Sequence, residues 1–172
     1  ETGGFTEFVP LSFVHTEAPM YRRQLVGGLR PGPDGLEVLK VHAVARIMLN
    51  DSLPNLQVSW VKEGPRMAQL LLGAGANDLG GTLLNESIST AAGSTSGQLM
   101  RPAQLRRLIR GAGRIPAERT TLYRIRRTFG EGEDPEEPLD RAQDLERRFG
   151  SYSELVRDRR FRWSSAPQVK RT

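Results

Sequence analysis

The sequence predicts an α/β fold built from parallel βαβ units, and three observations carry that expectation. The run Phe5 to His15 (FTEFVPLSFVH) is almost continuously apolar and β-branched or aromatic, as in a strand buried on both faces. Two shorter runs, Leu56 to Val61 (LQVSWV) and Ala76 to Leu79 (ANDL), repeat the strand signal further on. Segments of helical period separate and follow them, so the order is strand, helix, strand, helix, strand, helix. Crossovers of that kind join parallel strands and are right-handed.

In the first run, Phe8, Val9, Leu11, Phe13 and Val14 supply the apolar surface, while Pro10 lacks an amide donor and marks a bulge or an end of pairing. Thr16 to Gly35 is dense in turn and breaker residues and reads as a long loop. Leu36, Leu39, Ala43, Val44, Ile47 and Met48 then fall at helical spacing, which predicts a helix over 36–49 capped by Asp34 or Gly35. The turn NDSLPN leads to the second strand, which Lys62, Glu63, Gly64 and Pro65 end. A short helix over 66–72 starts at Pro65 and closes at Gly73.

Gly73 to Gly93 is the most unusual stretch, a buried-strand signal running into Gly80 and Gly81 and then into a polar, helix-like segment with Asn85 and Glu86. A further helix is expected over 102–112, with Leu105, Leu108 and Ile109 inward and Arg106, Arg107 and Arg110 outward. Ile115 to Ile125 reads as extended chain returning across the core. Composition then shifts. Residues 1–126 form the expected α/β part, 127–138 an acidic linker too poor in apolar residues to pack, and 139–172 an Arg-rich helical or disordered tail. Within that tail, helices are expected over 139–149 and 152–160, with Phe161 and Trp163 anchoring the end.

The length of 172 residues suits one domain with an appendage. No stretch approaches the roughly 20 apolar residues of a membrane helix and the start does not resemble a signal peptide, so the expectation is a soluble, cytoplasmic protein without a membrane partner. The net charge of +5 invites a nucleic-acid reading. Lys40, Lys62 and Lys170 are the only lysines among 25 basic residues, however, and an arginine bias of that kind reflects GC-rich coding as readily as ligand choice. Nucleic acid is therefore not the expected partner. The absence of cysteine excludes disulfides, thiolate zinc sites, a cysteine nucleophile and an all-cysteine iron–sulfur cluster within this chain.

Three stretches, EFVPLSFVHTEAP at 7–19, VSWVKEG at 58–64 and GANDLGGTLLNESIS at 75–89, together resemble one family. They are similar to the C-terminal part of the radical S-adenosylmethionine deazaflavin-core (7,8-didemethyl-8-hydroxy-5-deazariboflavin, FO) synthases. The resemblance spans about Gly3 to Tyr123. GANDLGG alone also resembles the radical enzymes of the futalosine route to menaquinone, and the Phe-Val-His-Thr-Glu-Ala-Pro loop decides between them.

The resemblance implies a (β/α) TIM-type barrel whose last strands are those read above, with the active face at their C-terminal ends. It implies a 4Fe–4S cluster and S-adenosylmethionine as cofactors of the complete enzyme, with tyrosine and 5-amino-6-(D-ribitylamino)uracil as substrates. A deoxyadenosyl radical would abstract hydrogen from tyrosine, and a hydroxybenzyl fragment would add to the diaminouracil. Glu86 is the implied catalytic residue, and His15, Glu17, Trp60, Lys62, Asn77, Asp78 and Thr82 the implied substrate-binding ones. The position of these side chains at strand ends agrees with a reading in which they converge on one face.

Six of them have a structural alternative: His15 as a donor to a carbonyl, Glu17 as a loop cap, Trp60 as core, Lys62 as a snorkelling surface residue, Asn77 and Asp78 as turn and backbone acceptors. Ser12 stands where the family commonly has Pro and Asn85 where a second acid is usual, so a two-carboxylate role is not carried over.

The family's CxxxCxxC cluster motif is absent. Either the chain is part of a longer or paired protein whose N-terminal half or partner radical domain brings the cluster, or it is a degenerate copy acting as a binding module. The start at Glu1 on a core strand favours the first. A partial barrel leaves an open strand edge and uncovered core. The chain alone is therefore expected to aggregate or stay molten, and a cooperative thermal transition in differential scanning calorimetry would contradict that expectation.

Overall fold

A computed structural model describes residues 3–84 and 86–145, together with 147, 154, 157 and 158. At its centre the three apolar runs lie side by side in chain order. Phe8 pairs with Leu56 and Gln57 with Asp78, both parallel. The amides of Gln57, Val58 and Asn77 donate to Phe8 O (3.0 Å), Asp78 O (2.8 Å) and Leu56 O (3.0 Å). The expected parallel order is thus found, in the form of two bridges and not of long strands. The first run is not buried on both faces: Phe5, Leu11 and Phe13 are exposed, Phe5 by 81%. Its bonds run to the second segment, and Pro10 has no N–H with which to extend them.

Helix α1 (Pro19–Arg22) interrupts the expected loop, and α2 (Gly35–Leu49) follows with its cap at Asp34. The Asp34 carboxylate accepts from the Glu37 amide (2.8 Å) and the Glu37 carboxylate from the Asp34 amide (3.0 Å), which satisfies two of the donors a helix start leaves open. Arg30 adds an ion pair to Glu37 (2.9 Å), and that bond is the first cause holding the Glu37 carboxyl below its ordinary value.

The second run departs from expectation. It leaves extended geometry before its end, and Trp60–Glu63 forms a helical turn, α3. In a strand, Trp60 and Val61 would point to opposite faces; in a turn of helix both reach the core, and both are buried. Gly64 then takes φ +80°, a conformation glycine adopts without a side-chain clash, and α4 (Pro65–Gly73) starts directly after it. Leu56, Val58, Trp60, Ala68, Leu71 and Leu72 form the core with Val38 and Ala45 of α2. The helix expected to carry Glu86 is shorter and later: α5 is Ile88–Ala91, two residues beyond it.

Helix α6 (Pro102–Gly111) lies where the sequence places it, but Arg106 does not face solvent. It is 4% exposed, ion-paired to Asp134 (2.5 Å) and Asp140 (3.6 Å), with its guanidinium over the Phe129 ring (5.1 Å). The segment 115–125 does not return across the core. It opens a hairpin of β1 (Ala117–Arg119) and β2 (Ile125–Thr128), whose residues are mostly exposed, and the boundary expected at residue 126 falls inside β2.

The acidic segment expected to be an unpacked linker is a strap across α6. Pro135 O accepts from Arg106 (2.6 Å), Asp140 accepts from the Ala103 amide (3.0 Å), and Arg101 donates to Ala142 O (3.0 Å). Charge and backbone acceptors hold it where apolar surface is lacking. Helix α7 (Pro138–Arg141) ends at Ala142 in extended geometry, so the helix expected over 139–149 is broken at 142–144, and Leu145 and Arg147 are helical beyond the break. Phe149, Phe161, Trp163 and most of the helix expected over 152–160 lie outside the described residues. Among the described residues no helix is long and apolar enough to cross a membrane.

Replacing Arg106 by Leu strips the strap of its buried partner, and hydrogen exchange of the amides from Gly130 to Arg141 is expected to quicken roughly tenfold or more. The bond to Arg106 is the first cause that lowers the Asp134 carboxyl. A lowered folded-state value means the contribution is complete above the ordinary carboxylate range, about pH 4, and is lost as pH falls through the lowered value. Acid-induced release of the strap should therefore occur below about pH 4 in the native protein and vanish in Arg106→Leu; exchange rates unaffected by the substitution would contradict this.

Candidate functional site

The carboxyl ends of the first two runs meet at a cleft of about 340 Å³. Trp60 sets its geometry. The side chain is 0% exposed and its indole N–H donates to Gly81 O (2.8 Å), which ties the end of the second run to the glycine pair after the third. The helical turn that buries Trp60 carries Lys62 outward over α5. There the ammonium donates to Ser89 Oγ (3.3 Å), and Ser89, 2% exposed, donates its amide to both oxygens of Glu86 (3.1 Å each). Glu86 thus caps α5 locally and supports the residue on which Lys62 rests.

His15 and Lys62 line the same cleft. His15 Nδ1 accepts from the Gly32 amide (3.2 Å), and the ring meets Tyr21 edge-on at 4.8 Å. An accepting Nδ1 leaves Nε2 as the protonated nitrogen of the neutral ring. Glu63 accepts from Ser12 Oγ (2.5 Å) and Ser94 Oγ donates to Val61 O (2.5 Å), so hydroxyls dominate the walls. Glu17 stands beside the cleft, ion-paired to Arg22 (2.5 Å), and its amide donates to Ala92 O (2.9 Å). Gly93, with φ +102°, passes so close that a Cβ there would lie 2.8 Å from the Thr16 Cβ; only glycine lets these two loops touch.

The remaining sequence-predicted residues gather elsewhere. Asn77 accepts from the Leu56 amide (2.8 Å) and Arg46 (3.0 Å) and donates to Pro54 O (3.2 Å), which occupies its amide with neighbouring chain. Asp78 accepts from the Gly80 amide (2.6 Å) and, with both carboxylate oxygens, from Nε and Nη2 of Arg119 along one guanidinium edge. Arg119 also stacks on Tyr123 (4.0 Å), whose hydroxyl donates to Glu7. Its bond to Asp78 raises the Arg119 pKa, and burial, ahead of the Glu7 bond, raises that of Tyr123.

Asn77 and Asp78 line a second cleft of about 720 Å³, and Asp78 and Thr82 a third of about 530 Å³ closed by α6, β1 and the strap. Neither shares a residue with the first. The expectation that all these side chains converge on one face is corrected accordingly: His15, Lys62, Glu17 and Glu86 belong together, whereas Arg46 and Arg119 draw Asn77 and Asp78 into a separate cluster. Trp60 is the pin beneath the first group and presents no surface to a ligand.

Sequence reasoning missed Glu63, Ser89 and Arg119. Glu63 was hidden by the strand reading of 56–61, and Arg119 by the assignment of 115–125 to the core. The Ser/Thr/Gly run from Ser87 to Gly97 was the available signal for Ser89, since small hydroxyl residues are suited to loops that approach closely. Among the described residues no group of three His, Cys, Asp or Glu side chains is placed to hold a metal ion.

Comparison with known proteins matches residues 2–131 to a family model described as the CofH/MqnC C-terminal region. Three proteins named 5-amino-6-(D-ribitylamino)uracil--L-tyrosine 4-hydroxyphenyl transferase are similar to this chain. That of Methanopyrus kandleri is 57% identical over 123 residues, covering 72% of this chain and 32% of that protein. That of Methanocaldococcus jannaschii is 52% identical over 125 residues, covering 73% and 34%. That of Methanosphaerula palustris is 55% identical over 123 residues, covering 72% and 33%. The chain therefore spans about a third of the length of the relatives it matches.

Proposed function

Because the chain belongs to the CofH/MqnC C-terminal region family, we propose that it forms one side of the active site of a 4-hydroxyphenyl transferase joining L-tyrosine to 5-amino-6-(D-ribitylamino)uracil. The observation that carries this reading is the cleft at the carboxyl ends of parallel segments, with His15 and Lys62 in its walls and Glu86 one residue behind them. Carboxyl ends are where barrels and open parallel sheets place their chemistry. The three parallel runs, each followed by helix, are compatible with the last strands of a (β/α) barrel whose other strands lie outside this chain.

Radical chemistry in this reading comes from a 4Fe–4S cluster and S-adenosylmethionine. This chain does not fit the cluster: it has no cysteine, and no alternative ligand set exists among the described residues. Its proposed task is narrower. Lys62 and the surrounding hydroxyls orient a polar substrate, and the buried Trp60 keeps their supporting turn rigid, so that reacting groups are presented in register. Glu86, half-buried beside them, is the proposed acid–base residue.

The test uses the active assembly, meaning this chain together with the barrel half that completes it. Supplied with L-tyrosine and 5-amino-6-(D-ribitylamino)uracil, it should form the coupled product, detected by mass spectrometry. Turnover of a menaquinone-pathway substrate instead would identify the family's other branch. Glu86→Gln keeps an oxygen for the Ser89 amide, so the unfolding temperature should hold while product formation falls roughly a hundredfold. Unaltered turnover would remove Glu86 from the chemistry.

A further inference from the structure

We propose that the 340 Å³ cleft receives the zwitterionic head group of an α-amino acid, with Lys62 binding the carboxylate and Glu63 the ammonium. Which amino acid it is, L-tyrosine, rests on the proposed function; the head-group chemistry rests on the cleft itself.

Lys62 and Glu63 are consecutive, both half-buried, and both line this one space. Among the described residues the Lys62 ammonium has the Ser89 hydroxyl as its partner and no carboxylate within ion-pair reach. Two of its three N–H donors are thus uncommitted. Glu63 has the Ser12 hydroxyl on one oxygen, and among the described residues no cation within ion-pair reach. Two opposite charges share a wall, each held by a hydroxyl and neither ion-paired with the other or with any other charged side chain among the described residues.

Partly desolvated charges without a counter-charge are costly, and a ligand bearing both charges on a single carbon removes the cost of both at once. An α-amino acid head is such a ligand. The hydroxyls of Thr16 and Ser96 and the His15 ring provide additional hydrogen-bonding groups in the same cleft. A neutral pyrimidine with a ribityl chain carries no formal charge to answer either residue, so the second substrate of the proposed reaction is not the match. The volume is within the range of about 300–1,000 Å³ usual for small-molecule sites. S-adenosylmethionine ends in the same zwitterion, and the experiment separates it from tyrosine.

Equilibrium dialysis on the active assembly would measure binding of L-tyrosine, of tyramine, which lacks the carboxylate, and of 3-(4-hydroxyphenyl)propionate, which lacks the ammonium. Lys62→Met should weaken L-tyrosine roughly 10- to 100-fold and leave tyramine unchanged. Glu63→Gln should weaken L-tyrosine and leave the propionate unchanged, and Lys62→Arg should recover part of the affinity. Lys62→Gln repeats the first test should the methionine variant unfold.

The same pattern with S-adenosylmethionine in place of tyrosine keeps the head-group assignment and changes the occupant. Unchanged affinity for both ligands in folded variants overturns it, as does a loss confined to the ribitylaminouracil. Lys62-dependent tyrosine binding without coupled product would sink the transferase reading alone; coupled product with Lys62-independent binding of both zwitterions would sink only this assignment.

Discussion

The indole of Trp60, wholly buried with its N–H on Gly81 O at 2.8 Å, couples two chain segments that also meet through the Gln57–Asp78 bridge and the Asn77 side chain. Burying an aromatic of that size is worth a few kcal/mol, about 1.5–3 by apolar area, and the hydrogen bond keeps its one polar atom from costing part of that gain. Placing Trp60 and Val61 in the same core forces the chain out of extended geometry and into α3. The turn in turn decides where Lys62 goes. Packing beneath the cleft and polar chemistry within it are consequences of one side-chain placement.

Around that pin, charge is distributed unevenly. On one side of the parallel segments, Arg46 and Arg119 saturate Asn77 and Asp78, and Arg119 clamps the β1–β2 hairpin to the third run. On the other, Lys62 and Glu63 are held by hydroxyls. The first arrangement builds structure, since paired and hydrogen-bonded groups have little left to offer a ligand. The second retains capacity. A third ionic cluster, Arg106 with Asp134 and Asp140, fastens residues that lie beyond the family-matched region, so that a strap of low apolar content becomes a wall of the cleft near Thr82.

Much of the architecture was legible in the sequence because it is written in local signals. Asp34 and Glu37 announce the start of α2, Pro65 and Gly73 bracket α4, and three apolar runs separated by helices imply parallel order. What was hidden depends on partners distant in the chain. Nothing in the helical period of 102–112 shows that Asp134 and Asp140 will draw Arg106 inward, against the usual outward placement of arginine. The hairpin was missed because Arg119, the residue that docks it, is anchored by Asp78, 41 positions away. At the first cleft, the meeting of His15 and Lys62 at run ends was legible in the sequence. The separation of Asn77 and Asp78 from them was not, because side-chain direction within a run this short follows from its bonds rather than from its spacing.

On the proposed function, the carboxyl ends of these parallel segments face a substrate. A crystal structure of the active assembly soaked with L-tyrosine tests it most directly. The amino acid is expected in the cleft between His15 and Lys62, above the Trp60–Gly81 hydrogen bond. Tyrosine bound instead among Asp78, Arg119 and Tyr123, or at a position remote from all three segments, would contradict it.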